Sequence, residues 1–278
     1  MAIDLSKVKS RLEALKNQGT KSTYLWKPSP GKQVVRIVPY AHNPENPFIE
    51  LHFHYNMNGK TYLSPSSFGR PDPIVEFANK LKKSQDKEEW KRGRALEPKM
   101  RTYVPILVRG LEHEGVKFWG MGKSVYQELL AIIADPDYGD ITDPKNGRDI
   151  VVEFKTAEET GKSFPETSIR VKPNTSTAFD PSDKNVLEKV KNQKNVTELF
   201  PELTYDELAT AMDAWLNSAD PDGDAPAPAG GDEPATATEE EVEEKATAAA
   251  VKASTTAKTA VKAPSTKDIA DEFKDLFS

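Results

Sequence analysis

Hydrophobic residues alternate with polar ones in seven short runs between Gln33 and Lys172, and this period of two predicts β-strands. Asn58 and Gly59 separate two of the runs, and such a pair between alternating segments favours a tight hairpin. The predicted strands cover residues 33–40, 48–57, 60–64, 101–108, 116–121, 149–155 and 168–172.

Segments with a helical spacing of three and four residues interrupt these strands. Ile74, Phe77 and Leu81 follow that spacing in the first segment, and Thr204 with Glu207 forms a capping-box pattern at the start of the last. Because helices and strands do not alternate regularly, we expect an α+β fold, mainly β, built on a small barrel with helical insertions. The predicted helices cover residues 74–90, 124–134, 185–193 and 204–217.

Residues 1–20 form a separate basic segment. Leu5, Val8, Leu12 and Leu15 lie at helical spacing, which predicts a short amphipathic helix over residues 4–16. This helix either packs on the chain's own core or docks as an arm on a neighbouring protein molecule. Its basic side comprises Lys7, Lys9, Arg11 and Lys16.

The C-terminal end changes composition twice. Residues 218–267 contain 14 alanines and no aromatic residue, so they cannot bury enough apolar surface to offset conformational entropy, and we predict a disordered linker. Residues 268–278 regain apolar side chains among carboxylates, which is typical of a recruitment peptide. The alternative is a merely solubilising acidic end. The apolar anchors of this peptide are Ile269, Phe273, Leu276 and Phe277.

Charge and aromatic content divide the chain in a similar way. The 278 residues carry a net charge of −6, yet residues 1–123 carry +10 and residues 218–278 carry −8. Of the 23 aromatic residues, 21 lie at or before Trp215. We therefore expect one globular domain over residues 21–217, with an accessory subdomain around residues 64–100, followed by an acidic tail.

Several classes of site are excluded by residue content. The chain has no cysteine, which excludes disulfides, thiolate nucleophiles and cysteine-based metal sites. It has no GxSxG motif and its carboxylates are scattered among lysines, so we expect neither an enzyme nor a cofactor. His52 and His54 share a strand face and, with His42 or Asp72, are candidate metal ligands, but we favour a polar strand face without metal. No apolar run approaches the length of a transmembrane helix, so we expect a soluble intracellular protein without a membrane partner.

Cations and aromatic residues are interleaved between residues 24 and 123. Three times an aromatic residue stands two positions from a cation on a predicted strand, and alternate residues of a strand share a face. A base can stack on the ring while its phosphate meets the cation, which is how single strands are bound without sequence readout. The alternative for any one ring is a place in the core. The three pairs are Lys60–Tyr62, Arg101–Tyr103 and Lys117–Trp119, and the full set of predicted DNA contacts is Arg36, Tyr55, Lys60, Tyr62, Arg92, Arg94, Lys99, Arg101, Tyr103, Arg109, Lys117, Trp119 and Lys123.

Other ligands fit this pattern less well. Duplex DNA is a poorer fit, because no helix-turn-helix, zinc finger or basic zipper is visible and stacking rings cannot reach paired bases. An RNA-recognition sheet would carry an aromatic-glycine pattern on its central strand, and the sequence lacks one. Two alternatives stay open: a regulator of the same fold that binds single-stranded RNA and represses translation, and a protein-protein adaptor.

The order of these segments resembles that of one known family. The segments are, in order, GKQVVRIVPY, NPFIELHFHYNMNGKTYL, RTYVPILV, an EHEG turn, VKFWGMGKSVYQELLAII, a β-hairpin and an acidic tail that ends in DIADEFKDLFS. This collinear order is similar to that of the gene 32 single-stranded DNA-binding proteins of T-even-type bacteriophages. The similarity covers residues 24–175 and continues more weakly to residue 215.

The resemblance implies an OB-fold core that coats single strands cooperatively during phage DNA replication, recombination and repair, in the cytoplasm of the infected bacterial host. It implies that Lys7, Lys9 and Arg11 belong to an arm that contacts neighbouring copies on DNA. The acidic tail would recruit replication and recombination proteins, namely a polymerase, a helicase loader and a recombinase mediator. The family's DNA-contacting aromatic residues correspond to Tyr62, Tyr103 and Trp119.

The resemblance also reveals a departure from the family. The family binds a structural zinc ion through three cysteines and a histidine, whereas this chain reads SPSSFGRPDPIVEF over residues 64–77. Asp72-Pro73-Ile74-Val75 stands where the family has CPVC. We therefore expect the subdomain to be packed without metal. The expected packing residues are Phe68, Ile74, Val75, Phe77 and Leu81.

Overall fold

The computed structural model describes residues 24–217, which form eight β-strands and six α-helices. The strands are β1 (Leu25–Trp26), β2 (Gly31–Ile37), β3 (Ile49–Met57), β4 (Lys60–Leu63), β5 (Lys99–Val108), β6 (Lys117–Met121), β7 (Arg148–Lys155) and β8 (Glu166–Thr175). The helices are α1 (Pro73–Lys82), α2 (Lys87–Ala95), α3 (Lys123–Ala134), α4 (Ala157–Thr160), α5 (Lys184–Lys191) and α6 (Tyr205–Leu216). Short 3-10 helices occupy Pro65–Phe68, Glu112–Glu114 and Val196–Leu199.

The predicted strands are confirmed to within a few residues, but the segment predicted as one helix over residues 74–90 divides into α1 and α2. The division falls at Asp86. Its carboxylate accepts hydrogen bonds from the backbone N–H groups of Glu88 and Glu89 at 2.7 and 3.2 Å. Aspartate in this position stabilises the start of a helix, so a second helix begins at Lys87.

All eight strands belong to one sheet, in which β5 has three neighbours. The strands follow the order β1-β6-β5-β2-β7-β8, and the β3–β4 hairpin is attached to β5 as a branch. Residues 99–103 of β5 pair with β3, and residues 106–108 pair with β2. Within residues 24–217 the two ends of this order do not pair with each other. The sheet is therefore open, and the expected OB-fold barrel is not confirmed.

The predicted Asn-Gly hairpin is confirmed between β3 and β4. Asn58 has a φ of 53° and Gly59 a φ of 67°, and two left-handed residues in succession match the twist of the flanking strands. Asn56, with a φ of 57°, lies at an irregularity in the pairing of β3 with β4. Such a bulge bends the strand and re-aims the tip of the hairpin.

Strand β5 is buried on both faces from Thr102 to Val108. Val104 and Ile106 belong to the largest hydrophobic cluster, which lies between the sheet and α3. Side chains from residues 178–200 cover the opposite face. An antiparallel strand often leaves one face in solvent, but the segment that follows β8 removes that possibility here.

A second cluster, the helical cluster, joins α1 and α6 to the β3–β4 hairpin. It confirms Ile74, Phe77 and Leu81 as packing residues. Phe68 is instead exposed and Val75 is only half-buried, which corrects their expected place in this core. The members of the helical cluster are Met57, Ile74, Phe77, Ala78, Leu81, Leu96, Leu208, Met212 and Leu216.

Residues 1–23 and 218–278 lie outside the described part of the chain. The arm at residues 1–20, the linker at 218–267 and the terminal peptide at 268–278 therefore stay predictions. None of the helices between residues 24 and 217 is long and apolar enough to cross a membrane.

Candidate nucleic-acid interface

Trp119 lies in the core, which corrects its expected role as a stacking residue. Its side chain is fully buried in the cluster between the sheet and α3. The ring of Trp26 meets it edge to face, with 5.8 Å between the ring centres. A base stacks only on a ring with an accessible face, so Trp119 contributes to the domain by packing.

Tyr103 is also packed, since only 8% of the residue is exposed. Its ring centre lies 5.1 Å from that of Phe200 and 6.2 Å from that of Phe53. Gly120 of the neighbouring strand makes room for the ring, because a Cβ atom there would lie 2.7 Å from it. Burial raises the pKa of the Tyr103 hydroxyl. The expected stacking role of Tyr103 is therefore corrected as well.

Arg36 and Arg109 connect parts of the protein to each other. Arg36 is fully buried, and burial lowers its pKa. Its Nη2 donates hydrogen bonds to the carbonyl oxygens of Asp143 and Ser176, both at 2.7 Å. Asp149 Oδ1 lies 2.6 Å from Arg109 Nη2 and 3.5 Å from Arg36 Nη1. Two guanidinium groups thus share one carboxylate. Because a cation held by a buried partner is not available to a phosphate, the predicted DNA contacts at Arg36 and Arg109 are both corrected.

The two predicted lysines near β6 differ in availability. Lys117 Nζ lies 3.1 Å from Glu114 Oε2, so its charge is already paired. Lys123 is the first residue of α3 and is exposed. Of the two, Lys123 is the better placed to meet a phosphate.

One accessible patch, here named the β3–β5 patch, consists of Tyr55, Lys99 and Arg101. The pairing register of β3 with β5 places Tyr55 on the same face as the two cations. Lys99 is exposed, whereas Arg101 and Tyr55 are half-buried. Arg101 Nη2 donates a hydrogen bond to the carbonyl oxygen of Gly120 at 3.2 Å, which orients the guanidinium. The patch therefore combines an accessible ring with two cations.

A second accessible pair, Lys60 and Tyr62, lies on β4. Lys60 is exposed, and Tyr62 packs half-buried against the helical cluster, where burial raises the pKa of its hydroxyl. Tyr62 pairs with His54. Because His54 and Tyr55 are consecutive residues of one strand, Tyr62 and Tyr55 lie on opposite faces of the hairpin. The accessible rings are thus divided between two faces.

Helix α2 supplies cations that the sequence predicted and a ring that it missed. Arg94 is exposed and Arg92 is half-buried, both in the last turn of the helix. Trp90, about one turn earlier, is 39% exposed, and the Arg94 guanidinium lies 5.6 Å from its ring centre. The signal in the sequence was a tryptophan within the charged run 86–94, since such a helix has little apolar surface to bury the ring against.

His54 and Asp72 meet in a buried polar contact beside the helical cluster. His54 Nε2 lies 3.0 Å from Asp72 Oδ2, and the Ser64 hydroxyl donates to the same oxygen at 2.5 Å. Asp72 Oδ1 accepts from the backbone N–H groups of Ile74 and Val75 and so caps α1. Within residues 24–217 no group of three or more histidine, aspartate or glutamate side chains is placed to hold a metal ion.

Cations beside accessible rings are the combination with which proteins bind single-stranded nucleic acids. A family model described as gp32 DNA binding protein like matches residues 29–216. The match covers more than half of the chain, so the protein belongs to the gp32-like family of DNA-binding proteins, and the resemblance seen in the sequence is confirmed. This is a DNA-binding family, not an enzyme family, and membership supports a single-stranded DNA-binding role. The comparison with curated proteins gave no match.

Proposed function

We propose that this protein binds single-stranded DNA without sequence specificity, through the β3–β4 hairpin and the start of β5. The observation that carries the proposal is the family match over residues 29–216, which contains all of these elements. The function is one of binding, with no chemical step.

The β3–β5 patch supports this proposal because it pairs a ring with cations. Tyr55 offers a partly accessible ring, and Lys99 and Arg101 lie on the same face. Stacking contributes about 1–3 kcal/mol per base and tolerates any sequence, because every base has a π-face. The cations add an attraction to phosphate that weakens as salt rises. Together these two contributions favour binding without base-specific readout.

The shape of the hairpin favours a single strand over a duplex. Tyr55 and Tyr62 lie on opposite faces of the hairpin. A flexible single strand can follow a narrow ribbon and present unpaired bases to both faces, whereas the bases of a duplex are stacked on each other and closed to such rings.

We also propose that the protein coats single strands cooperatively and takes part in phage DNA replication, recombination and repair, in the cytoplasm of the infected bacterial host. The support for cooperativity is the basic amphipathic pattern of residues 1–20, in which Lys7, Lys9 and Arg11 flank apolar anchors. The support for recruitment of replication and recombination proteins is the acidic peptide with anchors at Ile269, Phe273, Leu276 and Phe277.

A binding experiment with three ligands tests the proposal. The full-length chain is titrated into labelled oligothymidine, a DNA duplex and an RNA of equal length, with fluorescence anisotropy as the readout at several salt concentrations. We expect the highest affinity for oligothymidine and a steady loss of affinity as salt rises. Equal affinity for all three ligands would contradict selective single-strand binding, and a clear preference for RNA would favour a translational repressor instead.

A further inference from the structure

Three aromatic rings within residues 24–217 are exposed by more than a third, and each has an arginine guanidinium over it. Phe68 is 37% exposed, Trp90 39% and Tyr138 37%. The guanidinium carbon lies 4.9 Å from the ring centre for Arg70 over Phe68, 5.6 Å for Arg94 over Trp90 and 5.7 Å for Arg148 over Tyr138. A cation–π contact of this kind keeps a ring and a positive charge side by side. A nucleotide, with its base and its phosphate, requires the same combination.

The packing of α2 explains why Trp90 is not drawn into the core. Gly93 forms the contact of α2 with α1, and a Cβ atom there would lie 2.8 Å from the carbonyl oxygen of Ala78 and 2.9 Å from Lys82 Cγ. The helices thus approach so closely that only hydrogen fits between them, and the Trp90 ring stays partly in solvent. An accessible tryptophan gives up much of the stabilisation that burial would provide, and tryptophan is enriched where a partner covers it.

The charges around the three rings differ. Beside Trp90 both Lys82 and Arg94 pair with the single carboxylate of Glu97, with Arg94 Nη1 at 3.2 Å, so positive charge is in excess. Beside Phe68, Arg70 Nη2 lies 2.6 Å from Glu202 Oε2, so one anion balances the one cation. Tyr138 has the Arg148 guanidinium over it, but this group donates hydrogen bonds to the carbonyl oxygens of Tyr138 and Pro173. Residues 135–143 around Tyr138 contain four aspartates and no cation. A phosphate is therefore attracted more strongly to the surface at Trp90 than to that at Tyr138.

We propose that Trp90 stacks on a DNA base and that Arg94 binds an adjacent phosphate, which extends the single-strand site from the β3–β5 patch onto α2. This inference rests on the proposed function. The surfaces are neighbours, because the carbonyl of Leu96, directly after α2, lies 3.2 Å from His54 Nδ1 of β3, and β5 begins at Lys99. Trp90 and Arg94 are separated by about 6 Å along the helix axis, given a rise of 1.5 Å per residue.

Alanine substitution at the three rings in the full-length chain tests this inference against matched controls. Anisotropy titration with labelled oligothymidine should show Kd raised about 5- to 150-fold by Trp90→Ala, which is the range for loss of one stacked base. Phe68→Ala should have a smaller effect, and Tyr138→Ala should leave Kd within about twofold of wild type, because no phosphate approaches the aspartates. Trp90→Phe keeps a ring and should retain most of the affinity.

Two further measurements keep the test decisive if Trp90→Ala folds poorly. Arg94→Gln should raise Kd and flatten the dependence of log Kd on log salt. Trp90 is the most exposed of the four tryptophans, so oligothymidine should quench the fluorescence of the wild type more than that of Trp90→Phe. Wild-type affinity in folded Trp90→Ala and Arg94→Gln, or an equal loss in Tyr138→Ala, would overturn the inference and leave the proposed function standing. Absence of oligothymidine binding by the wild type would overturn the proposed function itself.

Discussion

The protein buries one tryptophan, Trp119, and exposes another, Trp90. Arg36 and Arg94 show the same contrast between a buried and an exposed arginine. Trp119 and Arg36 are fully buried, the first among apolar side chains and the second against carbonyl oxygens and a carboxylate. Trp90 and Arg94 are exposed and contact each other. At the scale of single residues, solvent access therefore separates the groups that stabilise the fold from those that can reach a ligand.

This difference predicts two kinds of alanine variant. Trp119→Ala should lower the free energy of unfolding by about 3–5 kcal/mol, because it removes a buried ring and leaves a cavity. Tyr55→Ala, at a half-buried ring of the β3–β5 patch, should lower stability much less and weaken oligothymidine binding by about 1–3 kcal/mol. Urea unfolding and anisotropy titration measure the two effects. If the Trp119→Ala protein is stable and only its DNA binding is weakened, Trp119 is a DNA contact and not a core residue.

Asp72 keeps a low pKa although it is buried. Burial by itself raises the pKa of this carboxyl. The hydrogen bond and charge of His54, together with the Ser64 hydroxyl and the Val75 N–H, lower the pKa by more than burial raises it, so the net shift is downward. A carboxylate whose pKa is lower in the folded than in the unfolded chain stabilises the fold above the unfolded value of about 3.9. That stabilisation is lost as the pH falls through the folded value.

Asp72→Asn should therefore lower the free energy of unfolding at pH 7 by about 3 kcal/mol, because it breaks a buried pair. The difference from wild type should shrink as the pH falls below about 4. Asp86→Asn is the control, since Asp86 caps α2 in the same way. Asparagine is as good an N-cap as aspartate, so this variant should change the free energy of unfolding little at any pH. Urea unfolding between pH 7 and pH 3 measures both variants. A pH-independent difference for Asp72→Asn would show that its charge does not stabilise the fold.

At the scale of elements, the contact between α1 and α2 decides which side of α2 meets solvent. The two helices approach at Gly93, where neighbouring atoms leave no room for a side chain. Residues 83–86 connect them. This close contact directs the Gly93 side of α2 toward α1 and leaves Arg94 and Trp90 accessible.

Gly93→Ala tests that contact. Alanine favours a helix over glycine by about 1 kcal/mol, but its Cβ would lie 2.8 Å from Ala78 O and 3.0 Å from Lys82 N, both backbone atoms that cannot rotate away. Overpacking of this kind costs about 1–3 kcal/mol, so we expect a net loss of stability and a lower Tm. Lys91→Ala, at an exposed position of the same helix, should leave Tm nearly unchanged. A Tm at or above that of wild type for Gly93→Ala would contradict the close packing.

At the scale of the whole molecule, opposite charges are joined in one chain. Residues 1–123 carry +10, and residues 218–278 carry −8. Because the acidic segment is covalently attached, its effective concentration at the basic surface exceeds that of a free peptide. We therefore expect it to compete with DNA for the cations of the interface.

Deletion of residues 218–278 should raise the affinity for oligothymidine, with the largest gain at low salt, because screening weakens the competing interaction as salt rises. The matched control replaces Phe273 and Leu276 by alanine, which removes apolar anchors and no charge, and so should leave DNA affinity unchanged. Anisotropy titrations across a salt series measure both. An unchanged affinity after deletion at every salt concentration would rule out the competition.

Local pattern was sufficient for most of the fold. The strands, the Asn58-Gly59 hairpin and the capping box at Thr204 were predicted because each depends on residues close in sequence. The division of the predicted helix at Asp86 was missed, although its cap is also local. The open sheet was missed for a different reason, since closure depends on which distant strands pair.

The sequence by itself determined the chemistry of the candidate interface: a basic first part of the chain, rings interleaved with cations, and no cysteine. It also determined the order of segments that marks the gp32-like family. Only the tertiary structure decided which of those rings and cations a ligand can reach. Periodicity places Tyr103 and Trp119 on strand faces, but it cannot show that residues 178–200 cover one face of β5 or that α3 covers the other. Nor can it show that Asp149 binds Arg36 and Arg109. Solvent access depends on contacts between residues far apart in sequence, and those contacts form only when the whole domain packs.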